Sequence, residues 1–207
     1  MSEHYFTSNP ESAHRYAECD FTYRGHALHF RSDAGVFSRG EVDAGTRILL
    51  EALPEALSGR VLDLGCGWGP VGVSVGKMWP ECDIVMSDVN ERALGLAAEN
   101  AARNGVKAMT LCSDGLDNVE GVFNCVITNP PIRAGKQVIY RLFHDCAERL
   151  TTEGELYIVI RKQQGAESAL KYLKTVYKTV DTIEKSGGFW VIRCRKGTND
   201  EIRQGIL

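Results

Sequence analysis

The chain has 207 residues, 43% hydrophobic and 25% charged, enough to bury a sizeable core as one globular domain. A formal net charge of -3 excludes a protein that grips nucleic acid with its whole surface, and no apolar run reaches the roughly 20 residues that cross a bilayer. The opening Met1-Ser2-Glu3-His4-Tyr5 lacks the basic and apolar regions of a signal peptide, so a soluble cytoplasmic protein with no membrane partner is expected.

Charge is uneven along the chain. Residues 1–132 carry 10 Lys and Arg against 18 Asp and Glu, whereas residues 133–207 carry 14 against 9. The basic excess reads either as a local anion-binding face or as ordinary solubility charge. The seven cysteines form no C-x-x-C pair and fall mostly in apolar runs, so they are expected as reduced, buried small hydrophobes with no metal site among them.

Residues 1–20 are polar and aperiodic and are expected as a loosely attached arm; residues 197–207 are expected as a flexible tail. A single domain is expected over 21–196, with an N-terminal hairpin and helix at 21–55 and a core at 60–196. The hairpin rests on Phe21-Thr22-Tyr23 and Leu28-His29-Phe30 alternating around Arg24-Gly25, and the helix on the apolar spacing between Val42 and Leu53. The core then alternates. Strands are predicted at Val61–Leu64, Ile84–Ser87, Val106–Cys112, Val122–Thr128 and Glu155–Ile160. Helices are predicted at 70–78, Glu91–Asn104, Gln137–Leu150 and Ala166–Val176. Two last strands, Thr179–Ile183 and Phe189–Cys194, are close enough to pair antiparallel. The fold class is α/β: a seven-stranded, mostly parallel sheet with helices on both faces and the hairpin as an extension.

In such sheets ligands sit beyond the carboxyl ends of the strands. Asp63-Leu64-Gly65-Cys66-Gly67-Trp68-Gly69 ends the first core strand, its glycines permitting close backbone approach. Asp88 ends the second, 23 residues after Gly65, where a carboxylate accepts both hydroxyls of a ribose. Pro70 stands where a dinucleotide-binding loop needs glycine, and Asp63 would repel a pyrophosphate but suits the positively charged methionine end of S-adenosylmethionine. Asp114 follows the third strand, placed either to meet an adenine amine or simply to make a turn.

Asn129-Pro130-Pro131-Ile132 follows the fourth strand. Two prolines stiffen the loop and offer no amide hydrogen. The Asn129 side-chain oxygen and the Pro130 carbonyl are therefore left as converging acceptors for a planar NH2 group, which points to methyl transfer to nitrogen.

At these residues the chain resembles the class I S-adenosylmethionine-dependent methyltransferases. More narrowly, it resembles the small-domain family typified by bacterial small-subunit rRNA guanine-N2 methyltransferases, in a single-domain branch. The resemblance covers about Phe21 to Lys196, including Gly35-Val36-Phe37-Ser38, Asp43-Ala44-Gly45-Thr46, the glycine loop, Asp88, Asn129 to Lys136 and Lys162-Gln163-Gln164-Gly165-Ala166. It implies a Rossmann-like sheet of order 3-2-1-4-5-7-6 in core-strand numbering, cofactor contacts from Asp63, Gly65, Cys66, Gly67, Asp88, Val89, Asp114, Asn129 and Thr46, catalysis by Asn129, Pro130 and Pro131, and S-adenosylhomocysteine as product. Many relatives place Tyr or Phe after the two prolines to stack on the target base. Ile132 cannot stack, which makes Phe37 the candidate platform. Arg133, Lys136, Arg161 and Lys162 are candidate phosphate contacts around the same edge, with small-subunit rRNA or a ribosomal particle as the implied partner. Protein glutamine and nucleic-acid adenine N6 share the motifs as alternative targets, and a non-catalytic cofactor-binding assembly module is the alternative of another class.

Overall fold

The structure is a computed structural model that describes residues 13–197. Residues 1–12 of the expected arm and 198–207 of the expected tail lie outside the described residues. Strands β1 (Ala17–Tyr23) and β2 (His26–Ser32) form an antiparallel hairpin closed by Arg24 and Gly25, both at positive φ as a two-residue turn requires. Its first strand begins four residues before the expected start. Ala17 to Asp20 thus belong to the hairpin and not to an arm: Cys19 continues the buried face of Phe21 and Tyr23, while Glu18 and Asp20 face solvent opposite Arg31 and His29.

Helix α1 (Ala44–Glu51) leads to the core: β3 (Arg60–Leu64), α2 (Pro70–Met78), β4 (Asp83–Asp88), α3 (Glu91–Arg103), β5 (Ala108–Cys112), β6 (Phe123–Thr128), α4 (Lys136–Arg149), β7 (Leu150–Arg161), α5 (Ala166–Leu173), β8 (Thr179–Ser186) and β9 (Phe189–Arg195). The seven core strands lie in the order β5-β4-β3-β6-β7-β9-β8, which is the expected order. β3 to β7 are parallel, and β9 runs antiparallel to both neighbours.

The pleat divides the strand residues between two cores. Val61, Ile84, Cys125, Ile127 and Val159 pack with the hairpin and α1 to α3, while Leu62, Val85, Val126, Ile158 and Ile160 pack with α4 and α5. Six cysteines are buried as expected, but Cys112 is exposed because β5 is an edge strand, where Met109 also faces solvent.

Two asparagines one turn apart, Asn100 on α3 and Asn104 at its C-cap, dock the hairpin. Asn104 accepts from His29 N and donates to His29 O, both at 2.9 Å; Asn100 does the same with Arg31, both at 2.8 Å. Each side chain thus imitates a neighbouring strand. Asn100 also donates to Trp68 O at 2.8 Å, which joins the docked hairpin to the glycine loop. Among the described residues no helix is long and apolar enough to cross a membrane.

Candidate active site

Chain order reverses between β3 and β6, whose outer neighbours are β4 and β7, so a crevice opens at their carboxyl ends. Thr128, at the end of β6, donates its buried hydroxyl to Leu64 O at 2.8 Å and fixes the two strand ends together. The glycine loop leaves β3 there. Gly65 and Cys66 both donate to Ser87 O, at 2.8 and 2.9 Å, and Gly65 and Gly67 take φ of 71° and 56°. A Cβ added at either glycine would meet nothing within 4 Å, so their bare backbone borders open space.

Asp88 is held rather than loose: one carboxylate oxygen accepts the Gly67 amide at 2.8 Å and the other the Asn90 amide at 2.9 Å. The carboxylate still has acceptor capacity for a hydroxyl. Burial raises its pKa, against the lowering by the Asn90, Gly67 and Val89 amides. Asp63 is deeply buried and accepts the Gly72 amide of α2 at 2.7 Å. Burial first, opposed by that amide, and then the nearby Asp88 charge move its pKa up to about 7. Burial also pushes the Cys66 thiol well up, ahead of the charges of Asp63 and Asp88, so it is no nucleophile. Val89 is half-buried beside Asp88, and Asp114 is exposed after β5. Open glycine backbone, two desolvated carboxylates and spare acceptor capacity on Asp88 suit a ribose-bearing cation, so the residues present fit S-adenosylmethionine.

A strap from β2 to α1 crosses this crevice. Its contacts run in sequence: Ala34 O accepts from Arg92 at 3.0 Å, Gly35 O from Asn90 at 3.0 Å, and Phe37 O from the Trp68 indole at 2.8 Å. The strap leaves the Phe37 side chain half exposed. It then enters α1, where Asp43 is the N-cap, accepting from Gly45 N at 3.0 Å and Thr46 N at 3.3 Å.

From there the strap reaches the reaction loop. Asn129 Nδ2 donates to Thr46 Oγ1 at 3.1 Å and lies 3.4 Å from each Asp43 carboxylate oxygen. A carboxylate cannot face an amide oxygen without repulsion, so the NH2 end must point at Asp43 and Oδ1 must point away from it. Thr46, expected at the cofactor, is buried and contacts Asn129. The Pro130 carbonyl is not wholly free: it accepts the Ile132 amide at 2.9 Å in an inverse γ-turn about Pro131 (φ -75°, ψ 77°). One of its two lone pairs remains.

Ile132 packs inward against the α4–α5 core instead of facing the crevice. The basic residues do gather on the same edge. Arg133 lies within the one-turn helix Ile132–Ala134 and Lys136 opens α4, with Lys136 Nζ 5.2 Å from the Tyr140 ring centre. Arg161 lies over Phe189 at 4.6 Å, and Lys162 N donates to Gly188 O at 2.8 Å in the β8–β9 turn. That turn brings in Lys185, over Trp190 at 4.1 Å, which the sequence reading did not single out. Nor did it find Trp68, Asn90 and Arg92 as anchors of the strap. Asn90 alone carried a local signal, as the N-cap of α3.

The sequence profile described as the methyltransferase small domain matches residues 27–193, from β2 to β9. The chain belongs to the methyltransferase small-domain family. Among relatives of this family, an uncharacterized Bacillus subtilis protein, YbxB, is 42% identical over 200 residues, covering 95% of this chain and 100% of that one. The ribosomal RNA small subunit methyltransferase C of Pseudoalteromonas atlantica is 36% identical over 169 residues, 78% of this chain but 48% of its own length. The chain thus spans about half the length of that rRNA enzyme.

Among solved structures, a T. thermophilus 16S rRNA guanine-N2 methyltransferase (RsmC), in complex with AdoMet and guanosine, superposes with a TM-score of 0.80 at 25% identity, over 90% of this chain and 52% of that one. A Pyrococcus furiosus methyltransferase matches with a TM-score of 0.62 at 22% identity, over 73% of this chain and 81% of that one, and shares the fold. This small-domain protein is an S-adenosylmethionine-dependent methyltransferase.

Proposed function

We propose that the enzyme methylates an exocyclic amine, N2 of guanine in small-subunit rRNA, and does so in the cytoplasm. The observation that carries this reading is the fixed orientation of Asn129: its NH2 is engaged by Thr46 and Asp43, which leaves Oδ1 as an acceptor beside the spare lone pair of the Pro130 carbonyl. An amine that donates one hydrogen to each acceptor has its nitrogen lone pair turned out of the base plane, where it can attack. The bound cofactor supplies an electrophilic methyl group on a sulfonium. The chain's residues align the amine for in-line displacement and need no strong base, because the methylated amine gives its extra proton to water.

Asp63, Gly65, Cys66, Gly67, Asp88, Val89 and Asp114 would hold the cofactor in this reading. Phe37 would be the platform for the target base, and Arg133, Lys136, Arg161 and Lys162 would contact RNA phosphates. The named substrate of the rRNA relatives and the guanosine in the T. thermophilus complex support the choice of RNA and of guanine.

The test is methyl transfer from labelled S-adenosylmethionine to naked small-subunit rRNA, intact small subunits and total protein, with Asn129→Ala alongside. Label recovered as N2-methylguanosine and lost in the variant supports the reading. Label in protein overturns it in favour of a glutamine side chain, and label on adenine in favour of adenine N6.

A further inference from the structure

We propose that a cavity beside the reaction loop is a second base subsite, which takes the nucleobase next in the RNA to the one that is methylated. This rests on the RNA reading above. The cavity, about 250 Å³, lies between Ile132 and the first turns of α4 and α5, at the end of β7. Neither Asn129, Pro130 nor the glycine loop lines it, so it is separate from the place of methyl transfer. Ile132 is its wall on that side, three residues after Asn129, and so the two places are neighbours.

The lining has the chemistry of a nucleobase site. Ile139, Ile160 and Ala169 make a buried apolar floor. Tyr140 gives an aromatic wall, stacked at 4.1 Å and 12° on Tyr172, which fixes its ring. The Tyr140 hydroxyl is buried and has no hydrogen-bond partner among the described residues. What Tyr140 presents to the cavity is therefore its ring, an aromatic contact for a flat ligand.

The rim suits a charged backbone. Gln164 offers donors and an acceptor, and Lys136 places its ammonium over the Tyr140 ring. Both α4 and α5 begin on a glycine, Gly135 and Gly165, with no side-chain cap, so their first amides remain for anionic oxygens. Aromatic wall, apolar floor and a cationic rim together describe a base with its phosphate. The same view accounts for Ile132: a Tyr or Phe there would project into the cavity, whereas Ile132 leaves it open.

The test uses RNA oligonucleotides around the methylated guanine, each carrying one abasic nucleotide at a flanking position, and steady-state kinetics of the unaltered enzyme, Ser168→Phe and Tyr140→Leu. Ser168 is half-buried at the rim, where Phe blocks the entrance; Tyr140→Leu removes the aromatic wall and keeps the floor intact. For the unaltered enzyme, one abasic position should raise KM roughly tenfold, the scale of base stacking on an aromatic side chain, with kcat little changed. Both variants should raise KM for the intact oligonucleotide and lose most of the penalty at that one position, while S-adenosylmethionine affinity stays put. Equal KM at every abasic position, or penalties that persist in both variants, overturns the subsite alone. An unaltered enzyme that methylates no RNA overturns the RNA reading and the subsite with it.

Discussion

The Trp68 indole donates to the Phe37 carbonyl at 2.8 Å, and this bond fastens the strap to the glycine loop across 31 residues of sequence. Trp68 is buried, packed edge-on against Phe30 at 5.2 Å, so the contact also transmits the position of the docked hairpin to the site. Trp68→Phe removes the donor and part of the volume. It should lower stability by about 2 kcal/mol in urea denaturation and weaken S-adenosylmethionine several-fold by calorimetry. Phe37→Ala trims a half-exposed ring and should leave stability within about 0.5 kcal/mol while raising KM for RNA. A Phe37→Ala enzyme with unchanged KM would remove Phe37 as the base platform.

The strand-helix alternation and the two loops were legible because each depends on local apolar runs and on glycine or proline chemistry, whereas the strand order, a non-local property, came with the family resemblance. The contacts that orient the site were not. Asp43 looks like an N-cap and is one, but nothing in its neighbourhood reveals that its carboxylate also faces Asn129, 86 residues away. The start of β1 was missed because Glu18 and Asp20 make the segment polar, although their alternation with Cys19 and Phe21 was already the pattern of a half-buried strand. Cys112 was misjudged because an edge strand has the same composition as a central one, and only the pairing distinguishes them.

Thr46 should act as a positioning residue. Its hydroxyl accepts from Asn129 at 3.1 Å, so Thr46→Val keeps the volume but leaves the amide held only by the longer contacts to Asp43. A kcat fall of about tenfold with KM for RNA nearly unchanged is expected, against a loss of about 10²–10³ for Asn129→Ala, which removes the acceptor itself. Thr46→Ser should restore most of kcat. If Thr46→Val instead weakens cofactor binding and spares kcat, Thr46 belongs to the cofactor and not to Asn129.

Two glycines on the same segment should separate binding from folding. Gly67→Ala puts a methyl group into open space at φ 56°, so its folding cost is the left-handed backbone, about 1 kcal/mol. The methyl group occupies the room the cofactor needs, and S-adenosylmethionine affinity should fall more than tenfold. Gly76→Ala, further along α2, would put Cβ 2.5 Å from Val106 Cγ1. The clash outweighs the better helix propensity of Ala and should cost about 1 kcal/mol net, with cofactor affinity unchanged. Equal losses of affinity in the two variants would contradict the placement of the cofactor against Gly67.

Asp63 should give the enzyme two opposed pH dependences. Its pKa rises from 3.8 to about 7 on folding because burial disfavours the carboxylate. Between those values the folded chain keeps a proton that the unfolded chain has lost, so stability without cofactor should fall as pH rises, by up to about 1.4 kcal/mol per pH unit from this group. Above about 7 both states are ionised and its slope disappears. Cofactor affinity should run the other way, since the positive charge of S-adenosylmethionine favours ionised Asp63, and should tighten from pH 6 to pH 8. Asp63→Asn removes the titrating group while keeping an oxygen for the Gly72 amide. Urea denaturation and calorimetry at pH 5, 6 and 8 should find both slopes reduced in that variant. Unchanged slopes would assign the titration to another group, Asp88 first among them, because burial raises its pKa too.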